Sequence, residues 1–276
     1  MTHSTRHVSR ARILAVRGDT IEERDDTLVG EEPMEIRVGG PGQDPVAVAI
    51  TMRTPGSEAE LAVGFLRTEG LIRDGDVAKI EFGDPATLSQ PDDTVIVRLH
   101  RPFDASTVPE RHFVATASCG ICGKASLDEV AVRCDPIPAG PVVSRNVILA
   151  LPARLREGQA VFERTGGLHA AGLFDPAGGL LVLREDVGRH NALDKLVGWA
   201  VLAGLAPLNE RILMVSGRVS LEIVQKAAVA GIPIVCAVSA PSDLAVEAAQ
   251  RFGQTLVGFL RGDGFNIYAG RARINL

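Results

Sequence analysis

The sequence predicts an α/β protein whose N-terminal part is α+β, and three observations carry that reading. Before residue 100, short alternating or apolar runs such as Met34 to Val38, Val46 to Met52 and Thr94 to Leu99 are separated by Gly, Pro and Asp turns. After residue 150, apolar strand-like runs alternate with helical stretches across short connections, which is the grammar of a partly parallel sheet. With 46% hydrophobic residues in a chain of 276, there is material for a sizeable core.

In chain order, Arg6, Arg10, Arg12 and Arg17 precede the first acid, Asp19, and only Ile13 to Val16 is apolar in that stretch. That run is too short for a signal peptide, so residues 1–20 are expected to form a flexible tail. Residues 21–110 read as the α+β domain. Its one helix starts after Pro55-Gly56, with Ser57 as N-cap, Glu60 as capping-box partner and Leu61, Phe65 and Leu66 as the apolar stripe. Residues 111–140 lose all periodicity and are rich in Ser, Gly, Pro and Cys, which makes them a connector loop.

Residues 141–276 form the second domain. A helix over 152–164 leads into a hairpin, 168–174 and 180–183, around the turn Asp175-Pro176-Ala177-Gly178-Gly179. Helices over 192–202, 220–230 and 243–252 then alternate with strands over 212–215, 232–238 and 255–260, and the last three strands are expected to be parallel neighbours. Glu222 with Lys226 and Glu247 with Arg251 stand at the favourable i,i+4 order, which places both pairs on outer helix faces.

Composition excludes some functions. Lys and Arg number 29 against 34 Asp and Glu, leaving a net charge of −5, so no chain-wide basic field favours nucleic acid. The longest uncharged stretch, Ala227 to Ser242, holds two prolines and is shorter than the roughly 20 residues of a membrane helix, so no membrane span is expected. A cytoplasmic location follows as the expectation, and four cysteines in such a chain do not make a disulfide scaffold.

Two of those cysteines form a C-x-x-C in Ser118-Cys119-Gly120-Ile121-Cys122-Gly123-Lys124. Arg111, His112 and Lys124 flank it with no acid before Asp128, which favours a nucleophilic thiolate. Three chemistries compete for the pair. Zinc would need two more ligands, from Cys134 with His112 or His169. A thioredoxin-like redox pair would follow a strand and open a helix, which Phe113 to Ala117 fits weakly. A persulfide carrier needs only reachable, electropositive thiols. Cys236, inside the apolar run 232–238, reads as an inert core residue.

In open α/β sheets ligands sit where strands end and helices begin. Three loops lie there: Ser216-Gly217-Arg218; Ser239 with Ala240-Pro241-Ser242; and Arg261-Gly262-Asp263-Gly264. Together they offer arginine, glycine backbone and serine to a phosphorylated ligand, although each loop alone is ordinary turn chemistry. His169 follows Gly166-Gly167 at a strand start, where a buried, hydrogen-bonded histidine is as good a reading as a ligand contact. In the polar stretch 184–195, Arg189-His190-Asn191 directly precede an apolar helix, where imidazole, guanidinium and N–H donors converge on an anion or simply cap a turn. A zinc deaminase would need H-x-E followed by P-C-x-x-C; here His169 is followed by two alanines and the C-x-x-C lies upstream.

Taken together, EPMEIRV at 32–38, MRTPG at 52–56, GFLRTEG at 64–70, SCGICGKAS at 118–126, TGGLHAA at 165–171, REDVGRHNALDKL at 184–196, SGRVSLEIVQKAA at 216–228, SAPSDLAVE at 239–247 and LVGFLRG at 256–262 closely resemble the formate dehydrogenase accessory sulfurtransferase family, FdhD. The resemblance implies a cytoplasmic, homodimeric sulfur carrier that accepts persulfide sulfur from an IscS-type cysteine desulfurase and passes it to the molybdenum cofactor, bis(molybdopterin guanine dinucleotide), before insertion into formate dehydrogenase. It implies a C-terminal cofactor-binding domain with a cytidine deaminase-like fold and a mixed, partly parallel sheet. Cys119 matches the family's persulfide cysteine, with Cys122 assisting or resolving, and Phe259, Leu260, Arg261, Gly262, Asp263 and Gly264 match its cofactor-binding segment. Ser216, Gly217, Arg218, Ser239, Ser242, His169, Arg189 and His190 complete the expected ligand contacts, with no resident metal. The rival reading is a non-catalytic cofactor-binding chaperone whose C-x-x-C grips a metal.

Overall fold

A computed structural model of the protein describes residues 7–83, 93–108, 137 and 139–276. The chain opens with an antiparallel ribbon, β1 (Val8–Arg17) and β2 (Thr20–Val29), paired from Val8↔Val29 to Arg17↔Thr20 around Gly18 at φ +57°. Residues 8–17 are therefore strand, which corrects the expectation of a tail. Most of the ribbon faces solvent on both sides, so its strands carry no clean apolar alternation that would announce them.

The next sheet has the order β4-β3-β6-β5. In it β3 (Glu32–Gly39) runs antiparallel to β4 (Val46–Arg53) and parallel to β6 (Thr94–Leu99), while β5 (Val77–Phe82) closes the far edge. Helix α1 (Glu58–Thr68) lays Leu61, Val63 and Leu66 on Met34, Ile36, Val38, Val95 and Val97, the inward residues of these strands. Ser57 precedes the helix as expected but does not cap it. At φ +60° and ψ +34°, outside the extended backbone of a usual N-cap, its side chain makes no hydrogen bond to the first-turn N–H groups, and Glu60 is bonded to Arg184.

The third sheet has the order β13-β12-β11-β10-β8-β9. Strands β10 (Ile212–Val215), β11 (Ile234–Ala237) and β12 (Thr255–Arg261) are parallel, as expected. The hairpin β8 (His169–Phe174) and β9 (Leu180–Asp186) joins antiparallel to β10, and β13 (Gly264–Ala269) joins antiparallel to β12. Alternate strand residues face opposite cores, which is why ILMV and IVCA read as continuous apolar runs. Leu213, Val215, Val235 and Ala237 meet α4 (Arg189–Leu202), α5 (Leu221–Val229) and α6 (Asp243–Phe252), whereas Ile212, Met214, Ile234 and Cys236 meet α2 (Arg145–Gly158). A short helix, α3 (Ala160–Thr165), follows α2, and β7 (Val143–Ser144) pairs with β14 (Ile274–Asn275). No helix among the described residues is long and apolar enough to cross a membrane.

Helices α1 and α4 join the two larger sheets, and charge is buried between them. Lys226 Nζ from α5 lies 3.0 Å from both carboxylate oxygens of Asp194 and 2.9 Å from Thr68 Oγ1, with Glu69 at 3.1 Å. Glu222 and Lys226 are thus buried rather than paired on an outer face, because that side of α5 is turned toward α4 and α1. Glu247 and Arg251 do stay exposed.

Candidate functional site

The site lies at the edge where the three parallel strands end. Because β8 runs antiparallel to β10, its first residue, His169, comes to that same edge, and β9 ends beside it with Asp186 opposite His169. Backbone bonds then tie the edge into one row. Ser216 N–H donates to Ala170 O (3.0 Å) while Ala170 N–H donates to Ser216 Oγ (2.9 Å). Ser242 N–H donates to Val219 O (2.9 Å), and Phe259 N–H donates to Ser239 O (3.1 Å). A Cβ on Gly217 would lie 3.1 Å from His169 Nδ1, so glycine there lets the loop close against the imidazole.

Most of the expected ligand residues are therefore neighbours, but not all present side chains. His169, Ser216, Gly217, Arg218, Arg189 and His190 gather around the β8–β10 end of the row. Ser239 and Phe259 lie further along it. Ser242 spends its hydroxyl as the N-cap of α6, accepting from Ala245 N–H at 3.2 Å. The side chain of Leu260 is fully buried in the core beside α2, so only its backbone belongs to the edge. Gly262 and Asp263 make the exposed turn into Gly264 and β13, with Gly262 at φ +61°. Phe259 is one of two non-glycine residues with positive φ among the described residues, at +51°, where the β12 register shifts. It is partly exposed, with the Arg261 guanidinium 5.7 Å from its ring centre.

The edge is electropositive. Burial, then the charges of Arg189, His190 and Arg218, hold the half-buried His169 imidazole below its ordinary range, partly offset by Asp186. His190 is buried with Nε2 2.9 Å from Glu222 Oε2 and 3.3 Å from Ser220 Oγ. Burial alone would raise the Glu222 carboxyl, but the hydrogen bond and charge of His190, with Lys226, bring it below the usual carboxylate range. Helix α4 starts at Gly188 without a side-chain cap, so its first N–H groups add positive dipole at the same place. A cavity of about 480 Å³ opens beside His169 and Ser216, walled by Leu155, Gln159, Phe162 and Val238. Guanidinium and imidazole groups and helix N–H donors beside a partly apolar cavity have the chemistry that an anionic ligand with a bulky body would need.

The polar stretch 184–195 serves both readings. Arg184 is bound to Glu60 at 2.6 Å, and Asp186, fully buried, accepts from Thr54 N–H (3.1 Å), Gly188 N–H (2.8 Å) and Lys195 Nζ (2.7 Å). These residues build the turn, while Arg189 and His190 face the edge. Sequence reasoning missed Glu222, Gln159 and Phe162. For Glu222 the one signal was its place two residues after Ser220 at the opening of α5. Cys236 is fully buried and its thiol is pushed up by burial, which makes it inert as expected. The C-x-x-C pair Cys119 and Cys122, with Cys134, Arg111, His112 and Lys124, lies outside the described residues. Among the described residues no cluster of three or more His, Cys, Asp or Glu side chains is arranged to hold a metal.

Relatives share this chain almost end to end. A protein of Nocardia farcinica named "Sulfur carrier protein FdhD" is 48% identical, with 98% of this chain and 96% of its own covered. Proteins of the same name from Mycobacterium tuberculosis and Sulfurisphaera tokodaii are each 44% identical, covering 99% and 97% of this chain and 100% and 99% of their own. Among solved structures, a putative formate dehydrogenase accessory protein from Desulfotalea psychrophila shares the fold, with a TM-score of 0.74 at 23% identity over 97% of this chain and 99% of that one. Residues 29–275 match the FdhD/NarQ family, and with these relatives the chain belongs to that family.

Proposed function

We propose that this protein is a sulfur carrier acting in the cytoplasm as a formate dehydrogenase accessory protein. It accepts persulfide sulfur from an IscS-type cysteine desulfurase and hands it to bis(molybdopterin guanine dinucleotide) before that cofactor enters formate dehydrogenase. The observation that carries the ligand side is the convergence of Arg189, His190, Arg218 and the α4 N-terminus around His169, beside a cavity of about 480 Å³. These residues fit the group: cations and free N–H donors suit its diphosphates, and the half-apolar wall suits a flat ring. The names of the relatives support the carrier side.

In this reading the Cys119 thiolate attacks the terminal sulfur of the desulfurase persulfide. The sulfur–sulfur bond breaks, the desulfurase thiolate leaves, and Cys119 holds the sulfur. The Cys122 thiolate then attacks the Cys119 sulfur. Hydrosulfide leaves for the molybdenum, and the Cys119–Cys122 disulfide is afterwards reduced by a cellular dithiol. The test is intact mass after incubation with a desulfurase and cysteine, before and after reductant. The expected result is a reducible gain of about 32 Da that Cys119→Ala loses and Cys236→Ala keeps. No gain, with stoichiometric bound zinc, would overturn it in favour of a metal-gripping chaperone.

A further inference from the structure

Gln159 joins α2 to α3 and is only 5% exposed, yet its side chain has no partner among the described residues. Its backbone is spent on the junction: the N–H donates to Arg156 O at 3.1 Å, and the carbonyl accepts from Glu163 N–H at 3.0 Å. The fully buried side-chain polar atoms left unpaired among the described residues are Arg53 Nε and Gln254 Oε1, so the Gln159 amide, which is not one of them, meets open space. The space that Gln159 lines is the cavity of about 480 Å³ beside His169 and Ser216. An amide this deep that lacks a hydrogen bond is costly, and a ligand that satisfies it recovers the cost.

The surroundings select the ligand. Leu155, Phe162 and Val238 make the wall apolar. Phe162 is fixed in place: its N–H and that of Val161 donate to Glu185 at 2.9 and 3.1 Å, and the Arg156 guanidinium lies 4.6 Å from its ring centre. Glu185 thereby takes the first N–H groups of α3, and Arg156 is paired with Glu163, so neither is left over for an anion at this end of the cavity. A flat ring suits such a wall, and an amide, with donor and acceptor side by side, pairs two-pronged with a ring edge that carries the complementary groups. We propose that Gln159 is the specificity-determining residue of this cavity, its amide pairing with the lactam edge, C=O beside N–H, of a nitrogen heterocycle seated against Phe162. This rests on the reading of the ligand as bis(molybdopterin guanine dinucleotide), whose guanine rings present that edge.

The experiment measures binding to the full chain by calorimetry at pH 7 with three probes. They are GDP, guanosine, and purine riboside 5′-diphosphate, which keeps the phosphates and the ring shape but lacks the lactam. Wild type is expected to bind GDP about tenfold or more tighter than the purine riboside analogue. Gln159→Leu should lower GDP affinity to that of the analogue and leave the analogue's own affinity unchanged. Equal wild-type affinity for GDP and the analogue, or an equal loss of both in Gln159→Leu, overturns the proposal. The first of these comparisons needs no variant, so it decides even if Gln159→Leu fails to fold. Guanosine bound as tightly as GDP and lost in Gln159→Leu would sink the anion-edge reading while the role of Gln159 stands. No binding of any probe overturns both.

Discussion

Gly64 in α1 and Gly198 in α4 bring two helix backbones into direct contact: a Cβ on Gly64 would lie 1.8 Å from the Asp194 carbonyl oxygen, and one on Gly198 1.8 Å from that of Glu60. The crossing holds the helix of the N-terminal sheet against the helix whose first turn carries Arg189 and His190. Either glycine changed to Ala must push backbone apart. The expected loss is about 3 kcal/mol, read as a lower urea midpoint with an unchanged slope.

Lys226 is the only cation bonded to the buried Asp194 among the described residues. Burial raises the Asp194 carboxyl, which Lys226 and Thr68 oppose. Lys226→Met leaves that carboxylate buried and unpaired, so a loss of about 3 to 5 kcal/mol is expected by denaturant titration. Asp194→Asn together with Lys226→Met should recover part of it, since the uncompensated charge is then gone.

Asp76 receives the Arg101 guanidinium at 2.7 and 2.9 Å, and this bond holds its carboxyl below the ordinary value of 3.8. A depressed carboxyl stabilises above its unfolded value and loses that stabilisation as pH falls through the folded one. Arg101 is half exposed, so the pair contributes no more than about 1 kcal/mol. The stability gap between wild type and Arg101→Gln should be full at pH 7, shrink as the pH falls below 3.8, and vanish once it is below the folded carboxyl's own, lower value. A gap that persists there would contradict the assignment.

Phe259 holds φ +51° at the candidate site's sheet edge, a conformation glycine adopts freely. Phe259→Gly should leave thermal stability equal or higher by up to about 1 kcal/mol, yet lower the maturation of formate dehydrogenase. A melting temperature several degrees lower, with maturation intact, would make Phe259 a packing residue only.

The sequence made the buried parallel strands legible because both faces of β10 and β11 are apolar, so ILMV and IVCA stand out whatever surrounds them. Helix α6 was equally plain: Ser242 caps it and Gly253 ends it at φ +69°. What stayed hidden lay in strand pairing, backbone angles and tertiary burial rather than in the apolar pattern. Strand β1 exists because β2 pairs with it, and Ser57 fails as a cap because its backbone turns left-handed before α1. The i,i+4 order of Glu222 and Lys226 said nothing about the helices that bury them. At the candidate site, the loop residues could be singled out because strand ends share one sheet edge by topology, whereas Glu222 meets His190 from the side of a helix, which only tertiary contact reveals.

The most direct test follows sulfur to its destination. In cells lacking their own accessory protein, this chain would be supplied as wild type, Cys119→Ala or Arg218→Ala, with labelled cysteine as the sulfur source, and label and activity measured in the purified formate dehydrogenase. The account expects wild type to restore both, Cys119→Ala to restore neither although molybdenum is present, and Arg218→Ala to fall between. Labelled, active formate dehydrogenase from the Cys119→Ala cells would contradict it.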